Sequence, residues 1–239
     1  VRREHHPYWA EKLLGRFSEL YAEHFLLPMF DRVGAEPRFQ GPRHIILQGP
    51  NIRVGDHFHA FGTASSPVSF SVNPYDGGEG AIDIGNYCVI SSGVRIRSAV
   101  GVSIGDNCML AENVYVTDAD WHDLYHRIYP GTRKPVRIGN NVWLAESAHV
   151  MKGVTIGDNS VVGARSLVVK DIPENSIAAG NPARVIGEID PDKPRSLREH
   201  LFAGGRPYRE FKDEYDRQRL AGNTFRGWMK ALLWPDERS

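Results

Sequence analysis

The chain has 239 residues, and its 29 basic and 29 acidic side chains cancel to a formal net charge of +0. That length accommodates one or two cored domains, and the charge balance gives no electrostatic reason to expect a nucleic-acid partner. Two cysteines, Cys88 and Cys108, are too few for a disulfide framework and read as buried free thiols. No apolar run reaches the length of a spanning helix, and VRREHHPYWAEK at the start lacks a signal-peptide hydrophobic stretch, so a cytoplasmic location is expected.

Residues 8–32 space Trp9, Leu13, Phe17, Leu20, Tyr21, Phe25 and Leu27 three or four apart with Glu, Lys and Arg between them. This predicts an amphipathic helix that ends before Gly34-Ala35-Glu36-Pro37. Its mixed charges favour packing on protein over lying on a membrane. Residues 42–82 read as imperfect opening coils, with HIILQG and NIRVGD strand-like and SVNPYDGGEG interrupting them with turn residues.

From Ile84 a six-residue beat sets in. Aliphatic residues recur at Ile84, Ile90 and Ile96, at Ile104, Leu110 and Val116, and at Ile138, Leu144, Val150, Ile156, Val162 and Val168. A period of six suits neither an amphipathic helix nor an alternating strand. It suits an all-β solenoid of short strands, three hexads to an 18-residue coil, stacking Ile138 over Ile156, Leu144 over Val162 and Val150 over Val168. Gly-Asp-Asn and Gly-Asn-Asn triplets predict corners that tolerate left-handed backbone. Cys88, Cys108, Val142, Ala148, Ser160 and Ser166 fall near such corners.

One gap breaks the beat. Ile104 and Ile138 lie 34 residues apart where one coil needs 18, which predicts a loop of about 16 residues extruded at TDADWHDLYHRIYPGTRK, residues 117–134. Loops carried on a rigid scaffold are favoured places for function. This one holds Asp118, Asp120, His122, Asp123, His126, Arg127, Arg133 and Lys134. The PEN, GNPAR and DPDKP segments then close the solenoid. Residues 196–220 are helix-permissive, and FRGWMKALLW predicts a short helix whose Trp228, Met229, Leu232 and Leu233 cover a coil end or a neighbouring subunit. The expected divisions are a helical segment at 1–40, a solenoid at 41–189 and a helical extension at 190–239.

IGDNCMLAENVYVTDADWH, IGNNVWLAESAHVMKGVTIGDNSVVGARSLVVKDIP and AAGNPARVIGEI resemble the hexapeptide-repeat acyltransferases, in particular the galactoside, maltose and antibiotic O-acetyltransferase branch. The resemblance covers roughly residues 82–189. It implies a left-handed parallel β-helix assembled as a homotrimer, with acetyl-CoA in the groove between subunits, a small carbohydrate-like acceptor and no metal. Carried over by position, the catalytic histidine is His122, a general base that deprotonates the acceptor hydroxyl for direct transfer without an acyl-enzyme. Asn113 corresponds to the asparagine before the loop, set to fix the acceptor or the loop. Asp118 and Asp120 are expected to bind acceptor hydroxyls or orient His122, with Glu146 as a further acidic contact. Trp143, Ala145, Gly163, Ala164 and Lys170 carry over to the CoA groove, with Asn181, Pro182 and Arg184 near its adenine end.

The chain departs from that pattern at Glu146, in its opening coils and in its last 50 residues, which leaves room for an amino-sugar acceptor or a longer acyl donor. A γ-class carbonic anhydrase, with a metal on His122, His126 and His149, is a rival on the same kind of solenoid. Its spacing is poor, because the loop pair lies four residues apart and not five. A non-catalytic scaffold is the third reading.

Overall fold

A computed structural model describes residues 4–74, 78–203 and 208–234. The chain forms two compact units: the solenoid from Tyr21 to Arg198, and a helical unit built from the chain up to Leu20 together with the chain from Glu199.

The helical unit holds α1 (Tyr8–Tyr21), α2 (His200–Ala203), α3 (Tyr208–Arg219) and α4 (Phe225–Leu233). The predicted helix at 8–32 is shorter than its periodicity. After Tyr21 the chain passes through a π turn at Ala22–Leu26 and a 3₁₀ turn at Leu27–Met29, where Pro28 cannot continue the ladder. Helices α1 and α3 are joined at Asp213, which accepts from Tyr8 Oη at 2.7 Å and Lys12 Nζ at 2.5 Å. These bonds, Lys12 first, hold its carboxyl well below the usual carboxylate range. Helix α4 begins as its sequence predicts, with Thr224 Oγ1 accepting from the Gly227 amide at 3.1 Å. Trp228 packs edge-on to His6, while Leu232 and Leu233 stay exposed.

The solenoid is built of six three-strand coils. They are β1–β3 (Arg32–Val33, Arg38–Gln40, Ile45–Gln48), β4–β6 (Ile52–Val54, His59–Phe61, Val68–Val72), β7–β9 (Ile82–Ile84, Val89–Ile90, Arg95–Ser98), β10–β12 (Val102–Ile104, Met109–Leu110, Tyr115–Thr117), β13–β15 (Val136–Ile138, Trp143–Leu144, His149–Val150) and β16–β18 (Thr155–Ile156, Val161–Val162, Leu167–Val168). First, second and third strands stack in parallel as faces A, B and C. On face B, β19 (Ser176–Gly180) continues the stack and β20 (Ala183–Glu188) turns back antiparallel to end it. The class is the expected left-handed parallel β-helix with helical segments at both ends. Its first coil starts at Arg32, inside the stretch assigned to the helical segment. Val33 and Phe39 are only partly buried there, and the coil lacks the Ile-Gly phrase that marks the later ones.

Every aliphatic residue of the beat is buried, and the three predicted stackings are the observed pairings. Residues six apart therefore point to one axis, and residues one coil apart touch along it, so a single apolar column runs through the faces. Cys88 and Cys108 stack within it as free thiols. The neighbouring Cys108 thiol, and after it burial, push the Cys88 thiol up.

The corners owe their glycines to something other than φ. Left-handed backbone falls on the third residue of each triplet, at Tyr87, Asn107, Asn141 and Asn159, and the glycines have ordinary φ. What the glycines provide is room. The residue after each one carries an oxygen that accepts from the amide one coil earlier, in an unbroken ladder along the A–B edge. Ala35 N–H donates to Asp56, Asp56 to Asn86, Asn86 to Asp106, Asp106 to Asn140 and Asn140 to Asp158, at 2.6–2.9 Å. A Cβ on Gly34, Gly55, Gly85, Gly105 or Gly139 would lie 2.1–2.5 Å from that oxygen. Gly139→Ala should therefore destabilise the solenoid by about 1–3 kcal/mol through overpacking. Gly15→Ala, in helix α1 with nothing within 4 Å, should stabilise by about 0.5–1 kcal/mol. Urea midpoints of the two variants check the opposite signs.

Candidate active site

The gap in the beat is a loop between β12 and β13, leaving face C and re-entering face A at the C–A edge. Its two legs are paired: the Asp120 amide donates to the Thr132 carbonyl at 2.8 Å and the Gly131 amide to the Asp120 carbonyl at 3.0 Å, with a bridge at Ala119 and Arg133.

Two carboxylates fasten the loop to the coils on either side. Asp118, fully buried, accepts from the amides of Ala99, Val100 and Gly101 and from Ser98 Oγ at 2.6–2.9 Å. A side chain so enclosed has no edge left for an acceptor, which corrects its expected substrate role: it is the loop's anchor to the preceding coil. Asp120 reaches the following coil, pairing with Lys152 Nζ at 2.6 Å and accepting from Thr132 Oγ1 at 2.8 Å. Burial raises its pKa, but the hydrogen bonds from Lys152 and Thr132 outweigh that and hold the carboxyl below its ordinary value. A depressed carboxylate contributes stability above its unfolded pKa and loses it as pH falls through the folded one, so this latch loosens in acid. Lys152 had not stood out in the sequence, because it sits in an ordinary MKG corner.

His122 rides on this braced loop with its ring exposed. Its Nδ1 lies 2.7 Å from the carbonyl oxygen of Arg127. A carbonyl only accepts, so Nδ1 carries the proton and Nε2 presents a lone pair. The neighbouring Trp121 is held from two sides: its Nε1–H donates to Thr117 Oγ1 at 3.2 Å, and the Arg97 guanidinium lies 4.0 Å from its ring centroid. Neither Trp121 nor Arg97 was a candidate from the sequence. The available signal was their alternation, since Arg95 and Arg97 occupy outward positions of VRIRS.

The remaining candidates lie elsewhere on the chain. Asn113 is a left-handed corner residue at the B–C edge, with its amide on the Ser92 carbonyl at 3.0 Å and its Oδ1 filling the space where Gly93 has no Cβ. Ala145, Glu146, Gly163 and Ala164 follow the face-B strands on that same edge, and the Gly180-Asn181-Pro182 turn continues it. Trp143 stands outward on face B beside the edge and is about half exposed. Arg184, exposed, donates to the Ala183 carbonyl at 2.8 Å in the terminal hairpin. Lys170 alone of the cofactor candidates follows face C, toward the C–A edge. Within one chain, then, Glu146 and Asn113 do not join His122: face C separates their edge from the loop's.

Among the described residues no three His, Cys, Asp or Glu side chains are placed to hold a metal ion. His149 is turned edge-on against Tyr115 with ring centroids 5.6 Å apart. Within one chain, then, His122, His126 and His149 are not brought together as the carbonic anhydrase reading expects. Among the same residues no helix is long and apolar enough to cross a membrane.

Comparison with known proteins agrees with the repeat. The model described as "Bacterial transferase hexapeptide (six repeats)" matches residues 135–170, and "Hexapeptide repeat of succinyl-transferase" matches 96–118. A maltose O-acetyltransferase from Clostridium difficile 630 is 32% identical, with 75% of this chain and 84% of that one covered and a TM-score of 0.47. The chain belongs to the hexapeptide-repeat acyltransferase family. Among curated members, galactoside O-acetyltransferase of Escherichia coli (strain K12) is 44% identical over 116 residues, 47% of this chain and 57% of that protein. A putative acetyltransferase of Saccharomyces cerevisiae is 41% identical over 110 residues, 45% and 56% of the two chains. The chain thus spans a little over half the length of these curated relatives.

Asp118→Ala should leave three backbone amides and the Ser98 hydroxyl without their acceptor and cost about 3–5 kcal/mol. Hydrogen exchange should show the loss first at residues 98–101 and along the 118–135 loop.

Proposed function

We propose that this chain is an acyl-CoA-dependent O-acyltransferase that moves an acetyl group from acetyl-CoA to a hydroxyl of a sugar or glycoside, with His122 as general base. The observation that carries the reading is the 2.7 Å contact of His122 Nδ1 with the Arg127 carbonyl. It fixes the tautomer and turns Nε2 outward as a proton acceptor on a loop braced at Asp118 and Asp120. The relatives' printed activities, O-acetyl transfer to galactoside and to maltose, support the acceptor class.

The B–C edge suits the donor. Ala111, Ala145, Gly163 and Ala179 occupy equivalent register positions along it, so a slim pantetheine arm meets no long side chain there. A thioester on this edge supplies the activated acyl group. His122 Nε2 takes the acceptor proton as the hydroxyl oxygen bonds to the acyl carbon, and returns it to the sulfur as the carbon–sulfur bond breaks. The Arg127 carbonyl steadies the imidazolium in between. Holding the two substrates together supplies most of the remaining acceleration.

A homotrimer is the assembly that this reading calls for. The loop and the small-residue edge lie on different edges of one chain, so a neighbour placed by three-fold rotation brings its edge to the loop. Under this reading Trp143, Glu146 and Lys170 contribute to a groove shared by two copies, and Asn181, Pro182 and Arg184 lie near its far end.

His122→Ala should lower acetyl transfer by roughly 10²–10⁴-fold while leaving acetyl-CoA binding intact. Steady-state turnover with calorimetric titration of CoA checks both halves. Near-normal turnover by a folded variant would remove His122 as the base, and a wild-type chain that binds no CoA would overturn the transferase reading.

A further inference from the structure

Face C carries an arrangement that the acyl-transfer reading has not used. Its outward positions alternate with the buried beat, and β6 pairs with β9 so that Ser69 stands beside Arg95 and Ser71 beside Arg97. Adjacent strands are about 4.8 Å apart and alternate residues about 6.5 Å, so the four side chains form one small rectangle on a single face. The two serine hydroxyls are 3.4 Å apart.

Both guanidiniums are held by stacking. Arg95 lies 5.0 Å from the Tyr115 ring centroid and Arg97 4.0 Å from that of Trp121. Stacking covers a face of the planar group and leaves its edge, where the N–H donors lie, for a ligand. Among the described residues no carboxylate lies within ion-pair distance of either arginine. Asp118 close by is spent on the backbone of residues 99–101, and Asp120 on Lys152. Two like charges at alternate positions of one strand repel, and among the described residues no carboxylate offsets them. Two preorientated forks with two hydroxyls beside them form a set of donors for the oxygens of an anion.

The place of this set gives it a purpose. Trp121, which Arg97 stacks upon, immediately precedes His122. We infer that Ser69, Ser71, Arg95 and Arg97 bind an anionic group of the acceptor, so that the sugar acylated at His122 is an acidic one, bearing a carboxylate or a phosphate. This rests on the acyl-transfer reading and narrows its acceptor class. The CoA phosphates are the competing source of anionic oxygens, and the KM for acetyl-CoA of the arginine variants separates the two.

The test uses the full chain with acetyl-CoA and three acceptors: methyl galactoside, methyl galacturonate and galactose 1-phosphate. Direct binding of the same three compounds is followed by calorimetry. The wild type should favour an acidic acceptor, and the preferred acid names carboxylate or phosphate. Arg95→Gln should reduce the acidic-to-neutral ratio of kcat/KM about 10–100-fold, as expected on losing a charge-assisted fork, with the change in KM and the KM for acetyl-CoA unmoved. Arg97→Lys, which keeps the charge but loses the stack on Trp121, should fall between. A ratio indifferent to Arg95→Gln would overturn the inference, and so would a rise in KM for acetyl-CoA. If none of the three is acylated, the transferase reading suffers, and the binding series decides the anion site alone: acid-selective binding abolished by Arg95→Gln sustains it, and equal or absent binding ends it.

Discussion

Along the A–B edge one hydrogen bond is repeated five times: an amide of each coil donates to an Asp or Asn oxygen of the coil that follows. It fixes the height and the rotation of every coil relative to its neighbour, because the oxygen can reach the amide only where a glycine leaves the space open. With rotation fixed, the apolar residues of successive coils meet on one axis, and the outward residues form columns of equal register. Every functional feature of the solenoid is a column or an edge produced in this way. The small-residue edge, the paired serines and arginines of face C, and the root of the loop are all consequences of strands that cannot slip.

The loop shows how such a frame tolerates an insertion. A departure of this length between two strands would cost little in closure entropy yet would leave its ends free to wander. Asp118 and Asp120 remove that freedom by tying the loop to the coil before and the coil after. Under the proposed mechanism, a base that must meet a thioester and a hydroxyl at once needs this kind of support, and Asp118 and Asp120 serve the position of His122 and not its chemistry.

Much of this was legible in the residues. The beat gave the strands, the stacking partners and the loop, because burial on one axis forces a period that no other structure shares. The corner triplets pointed to left-handed backbone, and it falls on the third residue of each. Asp118 was misread because hydrogen-bond acceptors are alike in sequence: only the fold shows that three amides of residues 99–101 already converge on it. The first coil escaped notice because Val33 and Phe39 follow no Ile-Gly phrase. Glu146 and Asn113 were grouped with His122 because a linear motif carries no statement of which edge of a three-sided solenoid a residue occupies. The stacked pair of Arg97 and Trp121 joins residues 24 positions apart, a contact that only the 20-residue offset between neighbouring coils creates.

The central claim is that the loop of one chain works on the edge of another. Co-expression of two inactive chains tests it most directly, one carrying His122→Ala and the other Gly163→Trp, which fills the small-residue edge. The account predicts that each homo-oligomer is inactive and that mixed oligomers recover acetyl transfer, because some grooves pair an intact loop with an intact edge. Mixed oligomers of confirmed composition that remain as inactive as their parents would place the whole site within one chain and contradict it.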